Sequence, residues 1–370
     1  MRVRSALRIL WVSGLLAAGV EAAPREAVVL FTGDNAGEIS DCGCRQGPAG
    51  GLARRKTVID RERAGTAAVV VLDAGNALFK TPDAGRAPGD RERAALLLEQ
   101  MGELGTQAMA VGERDLALGT GFLTQGARKR KLVLLSANLT DAAGVPVFAR
   151  SRVVRDKGVV FGLIGVSPEG PVAGEARVVG QPVLPAVQAE ARALRAKQKV
   201  DVVVVLAALP LAEARALTER LGAEVDFVLQ SHEGRLPGVA QHPGQGTLVA
   251  SGERGRQVGR LALSIDGPGA FVDLAERERA RQGLALLEEN IQRGRARLAA
   301  ARDETNRAAL QQSLAALEAR RPQLEAQARP PETAPARTQL LSFLPLGPEV
   351  PEDPELTQRV APLLPPSTRP

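Results

Sequence analysis

Two cysteines lie two positions apart, at Cys42 and Cys44, and they are the only cysteines in this 370-residue chain. The intervening Gly43 lets the backbone bend enough for the two sulfurs to reach bonding distance. So small a ring restricts the unfolded chain little and is easily reduced, which suits reversible thiol chemistry. A redox-active pair is therefore the first hypothesis, and a local disulfide brace or a site for a soft metal such as Cu(I) are the alternatives.

The N-terminal segment indicates the compartment in which these thiols act. Residues 1–22 carry three arginines ahead of an apolar stretch at 9–20, which is typical of a secretory (Sec-type) signal peptide cleaved near Ala22 or Ala23. No segment reaches the roughly 20 apolar residues that a membrane span needs, although an uncleaved anchor is the alternative. We therefore expect a periplasmic or secreted protein without a transmembrane segment after cleavage, where a disulfide persists.

The composition favours a folded protein that does not bind nucleic acid. Apolar residues make up 44% of the chain, an ordinary fraction for a globular protein. The net charge is +6 and the pI is about 9.9, but aromatic residues account for only 2% and tyrosine is absent. Because bases stack on aromatic side chains, we interpret the arginines as a solvated surface.

Apolar runs alternate with helical segments through the first 266 residues. Several runs are continuous, as expected for strands that are buried on both faces. This order predicts an α/β sheet in which functional residues gather after the carboxyl ends of the strands. The predicted strands are 27–31, 67–72, 131–135, 159–166, 200–206, 225–229, 247–250 and 258–265, and the predicted helices are 52–64, 91–104, 184–199 and 211–221.

Six short motifs stand at strand ends, namely TGDNAG (32–37), LDAGN (72–76), AVGERD (110–115), SANL (136–139), VLAAL (205–209) and LQSHEG (229–234). Together they resemble the calcineurin-like metallophosphoesterases, within them the periplasmic 5′-nucleotidase (UshA-like) branch. The resemblance covers residues 26–266 and implies a four-layer αββα sandwich that acts on phosphoric esters. In that family two divalent metals in a cage of His, Asp and Asn activate a bridging hydroxide.

Most metal ligands of that family are replaced in this chain. Asp34 and His232 keep the expected identity, whereas the bridging aspartate is Asn76. The Asn-His pair that binds metal and donates a proton in the family is Glu113-Arg114 here. A dinuclear centre is therefore not expected. Side chains without ligand atoms stand at three further ligand positions, namely Ala36, Ala208 and Gly234.

Two interpretations of the remaining polar residues stay open. Oxygen donors suit a single hard cation such as Mn²⁺, Mg²⁺ or Ca²⁺. Alternatively no cofactor is bound, Arg114 neutralises the adjacent Glu113, and the polar residues line an inherited cleft. The ligands of a single cation would be Asp34, Asn76, Glu113 and His232.

The cysteine pair also fits one group within that branch. The sequence GGLARR at 50–55 repeats the end of the cysteine-glycine-cysteine or selenocysteine loop of the UshA-like (seleno)proteins. AVGERD at 110–115 also resembles that group more than the nucleotidases. In the resembled fold, Cys42 and Cys44 would border the former metal cleft. The resemblance therefore implies redox chemistry at the mouth of this cleft.

The composition changes after residue 274. Leucines at helical spacing between 274 and 321 shift phase around 303–306, which predicts a helical hairpin, with one long coiled-coil helix as the alternative. Pro322 is expected to end the helical pattern. The proline-rich tail at 329–370 is predicted to be an extended or partly disordered arm, whose LLSFLPL stretch at 340–346 docks on the body. The domains are thus 1–22 (signal peptide), 26–268 (metallophosphoesterase-like), 274–321 (hairpin) and 329–370 (tail).

The sequence favours an exported metallophosphoesterase-like protein with a degenerate metal site that is not a classical phosphatase. Its function would lie in the Cys42/Cys44 loop, which would act on a redox or protein partner of unknown identity. The first alternative is a divergent 5′-nucleotidase-type hydrolase that uses one metal. The second is a non-catalytic interaction protein that uses the hairpin, which would also allow self-association.

Overall fold

The structure is a computed structural model, and it describes residues 24–41, 48–85, 87–173, 175–232, 238–252, 254–331 and 333–364. The predicted signal peptide, the cysteine pair and Gly234 lie outside the described residues. The strands are β1 (Arg25–Thr32), β2 (Ala68–Asp73), β3 (Ala108–Ala110), β4 (Leu134–Leu135), β5 (Leu139–Asp141), β6 (Ser151–Asp156), β7 (Val159–Val166), β8 (Gly170–Pro171), β9 (Val178–Gly180), β10 (Val202–Ala207), β11 (Phe227–Gln230), β12 (Thr247–Ala250), β13 (Gln257–Ile265), β14 (Val272–Asp273) and β15 (Arg337–Pro345). The helices are α1 (Leu52–Arg63), α2 (Asp90–Glu103), α3 (Gly119–Lys129), α4 (Val183–Ala193), α5 (Leu211–Arg220), α6 (Leu274–Ala300), α7 (Glu304–Ala328) and α8 (Pro354–Val360).

Two large sheets carry the fold. The seven-stranded sheet has the order β14-β15-β13-β1-β2-β3-β4, in which β1 to β4 run parallel and β13 is antiparallel to β1. The five-stranded sheet has the order β12-β11-β10-β7-β6, in which the first four strands run parallel. A small sheet, β5-β9-β8, lies beside them. The carboxyl ends of the parallel strands therefore meet at one end of the molecule, where α/β proteins place their sites.

The two large sheets pack face to face over the main core. Val29 and Val70 of one sheet and Phe161, Val204 and Phe227 of the other are fully buried there. The opposite face of each sheet is covered by helices, α1 to α3 on the larger sheet and α4 and α5 on the smaller. Burial on both faces explains the continuous apolar runs in the sequence. The predicted four-layer αββα sandwich is confirmed.

The predicted helical hairpin is present between β14 and β15. Helices α6 and α7 pair along their length, and an ion pair of 2.7 Å joins Arg295 to Glu318. Asp273 caps α6 and Asp303 caps α7, each through a carboxylate that accepts a backbone N–H of the first turn. The chain therefore breaks at 301–303 into two helices. No helix in the described part of the chain combines the length and hydrophobicity needed to cross a membrane.

Pro322 lies inside α7, so the expected end of the helix at this proline is wrong. A proline removes one intrahelical N–H donor and normally disturbs the preceding turn. Here contacts with α6 hold the turn, because Arg321 pairs with Glu288 at 2.8 Å and the side chain of Leu324 lies over Gly283. Packing between the two helices thus outweighs the local effect of proline.

The C-terminal tail was predicted to be an extended or partly disordered arm, and residues 337–360 of it add an extended strand and a helix to the body. Strand β15 pairs with β13 along its whole length, from Arg337 opposite Ile265 to Pro345 opposite Gln257. Leu341 and Phe343 of this strand pack against the main core. The stretch at 340–346 therefore docks as part of a sheet, where it covers an edge of β13 that would otherwise be unpaired.

Candidate functional site

The carboxyl ends of the parallel strands form a cleft that gathers the polar residues singled out in the sequence. Asp34 follows β1, Asn76 follows β2, Arg114 follows β3 and His232 follows β11. The backbone is left-handed at Asp34 and Asn76, with φ of 51° and 57°. Asp34 N–H donates to the carbonyl of Gly75 at 2.9 Å, which ties the first two strand ends together. Such conformations are costly for residues other than glycine and persist where the surroundings impose them, commonly at functional sites.

An ion pair between Asp34 and Arg114 occupies the cleft. A terminal nitrogen of the Arg114 guanidinium donates to Asp34 Oδ1. The Asp34 side chain is 8% exposed and that of Arg114 is 12% exposed, so water screens the pair little. The expectation that Arg114 neutralises the adjacent Glu113 is wrong. The chain makes a 3₁₀ turn from residue 113, and this turn directs the two neighbouring side chains to different partners.

Asn76 is engaged at both ends of its side-chain amide. The amide nitrogen donates to the carbonyl of Ser231 at 3.1 Å, and the amide oxygen accepts the N–H of Arg114 at 3.4 Å. The residue is fully buried. The backbone of Gly112 passes so close that a Cβ there would lie 2.2 Å from the amide oxygen. Asn76 therefore links three strand ends, and Gly112 is required for this approach.

Glu113 and His232 form a second pair at the cleft. His232 Nε2 lies 3.4 Å from Glu113 Oε1. The Glu113 side chain is 35% exposed, which makes this pair more accessible to solvent than the pair of Asp34 with Arg114. The polar residues of the cleft thus separate into one carboxylate facing an arginine and another facing a histidine.

Asp115, a buried carboxylate in the AVGERD motif, holds the loops of the cleft together. Its oxygens accept the backbone N–H groups of Asn76 at 2.7 Å, Ala77 at 2.8 Å, and Leu78 and Gly112 at 2.9 Å. Burial raises the pKa of Asp115 to about 6, although these hydrogen bonds act in the opposite direction. Asp115 is the last residue of the AVGERD motif. Its place after a strand could therefore be predicted from the sequence, but its contacts with the loop at 76–78 could not.

Arg55 supports the loop that carries Asp34. Its buried guanidinium donates to Asn35 Oδ1. Burial lowers the pKa of Arg55, and the charge of Asp73 opposes this shift. Asp73 in turn accepts the hydroxyl of Thr32 at 2.7 Å. Arg55 of the GGLARR stretch therefore anchors the loop after the first strand.

Asp41 and Gly50, which flank the segment that carries the cysteines, are held together in a neck. Asp41 and Gly50 form an isolated antiparallel bridge, and Gly50 N–H donates to the carbonyl of Leu346 at 2.8 Å. The two cysteines themselves lie outside the described residues. The neck begins seven residues after Asp34, a distance of at most about 25 Å in a fully extended chain.

The described residues do not fit the dinuclear centre that the family resemblance implies. No three His, Cys, Asp or Glu side chains among them are grouped to hold a metal ion. The carboxylate of Asp34 contacts the guanidinium of Arg114, so a cation would have to compete with this guanidinium for the same oxygen. Ala36 and Ala208 offer methyl groups where the family has histidine ligands. Too few donors remain in this part of the chain for two divalent ions.

Comparisons with solved structures show the fold of phosphoesterases. A 5′-nucleotidase precursor from Thermus thermophilus superposes with a TM-score of 0.61 at 20% identity, over 91% of this chain and 58% of that one. The sulfate thiohydrolase SoxB of Thermus thermophilus gives 0.56 at 18% identity, over 64% and 53%. The calcineurin-like phosphoesterase YfkN of Bacillus subtilis gives 0.54 at 18% identity, over 66% and 86%.

These likenesses define the architecture of the chain. It has the fold that 5′-nucleotidases and calcineurin-like phosphoesterases share, and it spans little more than half the length of the first two structures. The sequence matches no protein-family profile and no curated protein. At 20% identity or less, a shared fold does not carry over an activity, so the function has to be argued from the residues of the cleft.

Proposed function

We propose that this chain is an exported protein with the phosphoesterase fold whose cleft no longer hydrolyses phosphoric esters, and whose activity is thiol redox chemistry at Cys42 and Cys44. The observation that carries this proposal is the buried contact between Arg114 and Asp34. This contact occupies Asp34, the one aspartate that the sequence retains from the metal-binding residues of the resembled family. Arg114 stands where that family has its proton-donating histidine.

The charges of the cleft support the loss of hydrolysis. A two-metal mechanism requires carboxylates that are free to hold cations and to fix a hydroxide between them. Here Arg114 supplies the positive charge beside Asp34, and Glu113 faces His232. Asn76 contributes a neutral amide that is hydrogen-bonded at both ends. The carboxylate of Asp34 is therefore compensated by a side chain of the cleft and not by a cation.

The attachment of the cysteine segment close in sequence to Asp34 supports the redox activity. Its neck, closed by Asp41 and Gly50, begins seven residues after Asp34. A thiolate of the reduced pair would attack a disulfide of a partner protein, form a mixed disulfide and release one partner thiolate. The second cysteine would then attack the mixed disulfide, which closes the Cys42–Cys44 bond and releases the other partner thiolate. Two electrons pass to the partner, and its two thiolates take up two protons.

A redox titration of the purified protein tests this proposal. We expect Cys42 and Cys44 to form an intramolecular disulfide. Its reduction potential should lie well above about −300 mV, the value below which structural disulfides are typically found. Free thiols are counted with a thiol reagent across a series of glutathione buffers, and Cys42→Ser and Cys44→Ser are each tested for trapping of a mixed disulfide. A disulfide that glutathione does not reduce would be a structural brace only, and this result would contradict the proposal.

A further inference from the structure

A cavity of about 630 Å³ opens at the end of the sandwich opposite the cleft. Its walls come from the amino ends of β1, β10, β11, β12 and β15, together with the loop at 267–271 that follows β13. Three arginines that are distant in sequence meet there, Arg25, Arg195 and Arg337, together with Asp201 and Asp226. None of these residues takes part in the cleft or the cysteine neck.

The two carboxylates of this cavity are engaged by the protein. Asp201 accepts both terminal nitrogens of Arg25, at 2.9 and 3.0 Å, and a backbone N–H of β7. Asp226 accepts Arg195 at 2.6 Å and a backbone N–H of β10. Three arginines face two aspartates, which leaves the cavity with a net charge of +1. The excess charge favours an anionic ligand.

Arg337 is fixed at the base of the cavity. Its side chain is 6% exposed, and its guanidinium carbon lies 3.9 Å from the ring centre of Phe271. The terminal nitrogens donate to the carbonyls of Gly269 at 2.8 Å and Asp201 at 2.7 Å, while Nε is buried without a hydrogen-bond partner in the described part of the chain. These contacts and an ion pair of 3.4 Å with Asp226 hold Arg337 as a fixed positive charge at the cavity.

We propose that this cavity binds a small-molecule phosphate monoester. Guanidinium groups match the oxygens of phosphate in a forked geometry, and arginine is the usual residue for this recognition. Arg25 and Arg195, with side chains 41% and 25% exposed, line the accessible part, and Phe271 provides an apolar wall for the rest of the ligand. The volume lies within the usual range for small-molecule sites. This site is independent of the redox activity proposed for the cysteine loop.

Binding of inorganic phosphate to the full chain tests the site. Isothermal calorimetry and thermal unfolding are measured over a phosphate series, against potassium chloride at equal ionic strength. We expect saturable binding and a rise in Tm in phosphate only. Arg25→Gln should weaken the affinity by about tenfold, because it removes one of the three positive charges that line the cavity. Arg25→Lys, which keeps the charge and loses the fork, should give an intermediate affinity.

Arg260→Gln is the matched control, because Arg260 is also a partly exposed arginine paired with a carboxylate, Glu62 at 2.8 Å, but does not line the cavity. Its affinity for phosphate should equal that of the unsubstituted chain. Absence of saturable binding would overturn the proposal. Binding that survives in both Arg25 variants would also overturn it, since the phosphate would then occupy another place, such as the cleft.

Discussion

The Arg114→Ala variant is expected to lose about 3–5 kcal/mol of its free energy of unfolding. The substitution leaves the carboxylate of Asp34, which is 8% exposed, without the guanidinium that compensates its charge. A charge that is buried and unpaired costs more than a lost surface contact, because water cannot replace the missing partner. Urea denaturation of the variant and of the unsubstituted chain measures the difference.

Two controls separate a buried pair from a general effect of losing an arginine. The double variant Asp34→Ala, Arg114→Ala should recover most of the loss, because it removes both charges together. Arg215→Ala breaks a surface pair with Glu219, whose side chain is 47% exposed, and should change stability by at most about 1 kcal/mol. A double variant that is no more stable than Arg114→Ala would contradict the buried pair.

The Asp115→Ala variant is expected to lose several kcal/mol, a large part of the roughly 5–15 kcal/mol that stabilises an ordinary domain. It removes the acceptor of four backbone N–H groups that lie in the interior. Each buried donor left unpaired costs about 1–3 kcal/mol. Denaturation at pH 8, above the pKa of about 6 at Asp115, measures the effect with the carboxylate charged.

Asp115→Asn provides the comparison if the alanine variant does not fold. Its side chain retains one oxygen that can accept N–H groups and replaces the other with a donor, so we expect a smaller but clear loss. Hydrogen exchange should quicken at Asn76, Ala77 and Leu78 in this variant before it quickens elsewhere. Unchanged exchange at these three amides would show that Asp115 does not hold the loop.

Elements buried on both sides could be predicted from the sequence with little error. The run at 159–166 appears as β7 with the same bounds, because continuous burial leaves an unbroken apolar signal. Strand β3, with three residues, is too short for such a signal, although it carries Arg114 to the cleft. Strand β15 could not be predicted from the composition of the proline-rich tail, because it is stabilised by pairing with β13, which is distant in sequence.

The cleft could be predicted in its members but not in their contacts. Motifs at strand ends identified Asp34, Asn76 and His232, because parallel strands bring their carboxyl ends together. The partner of Arg114 could not be predicted, since Asp34 is 80 residues away along the chain. The role of Asp115 could not be predicted either. Its carboxylate accepts backbone N–H groups, and these are present whatever the side chains of the residues are.

Metal content tests the central claim most directly. The protein is purified from an oxidising compartment without chelators, analysed for Mn, Mg, Ca and Zn, and assayed on a panel of phosphate esters with added Mn²⁺ or Mg²⁺. We expect no stoichiometric metal and no turnover, because Arg114 compensates Asp34 in place of a cation. About one equivalent of metal, lost together with phosphatase activity in Asp34→Ala and His232→Ala, would contradict this account and favour a hydrolase with a single metal.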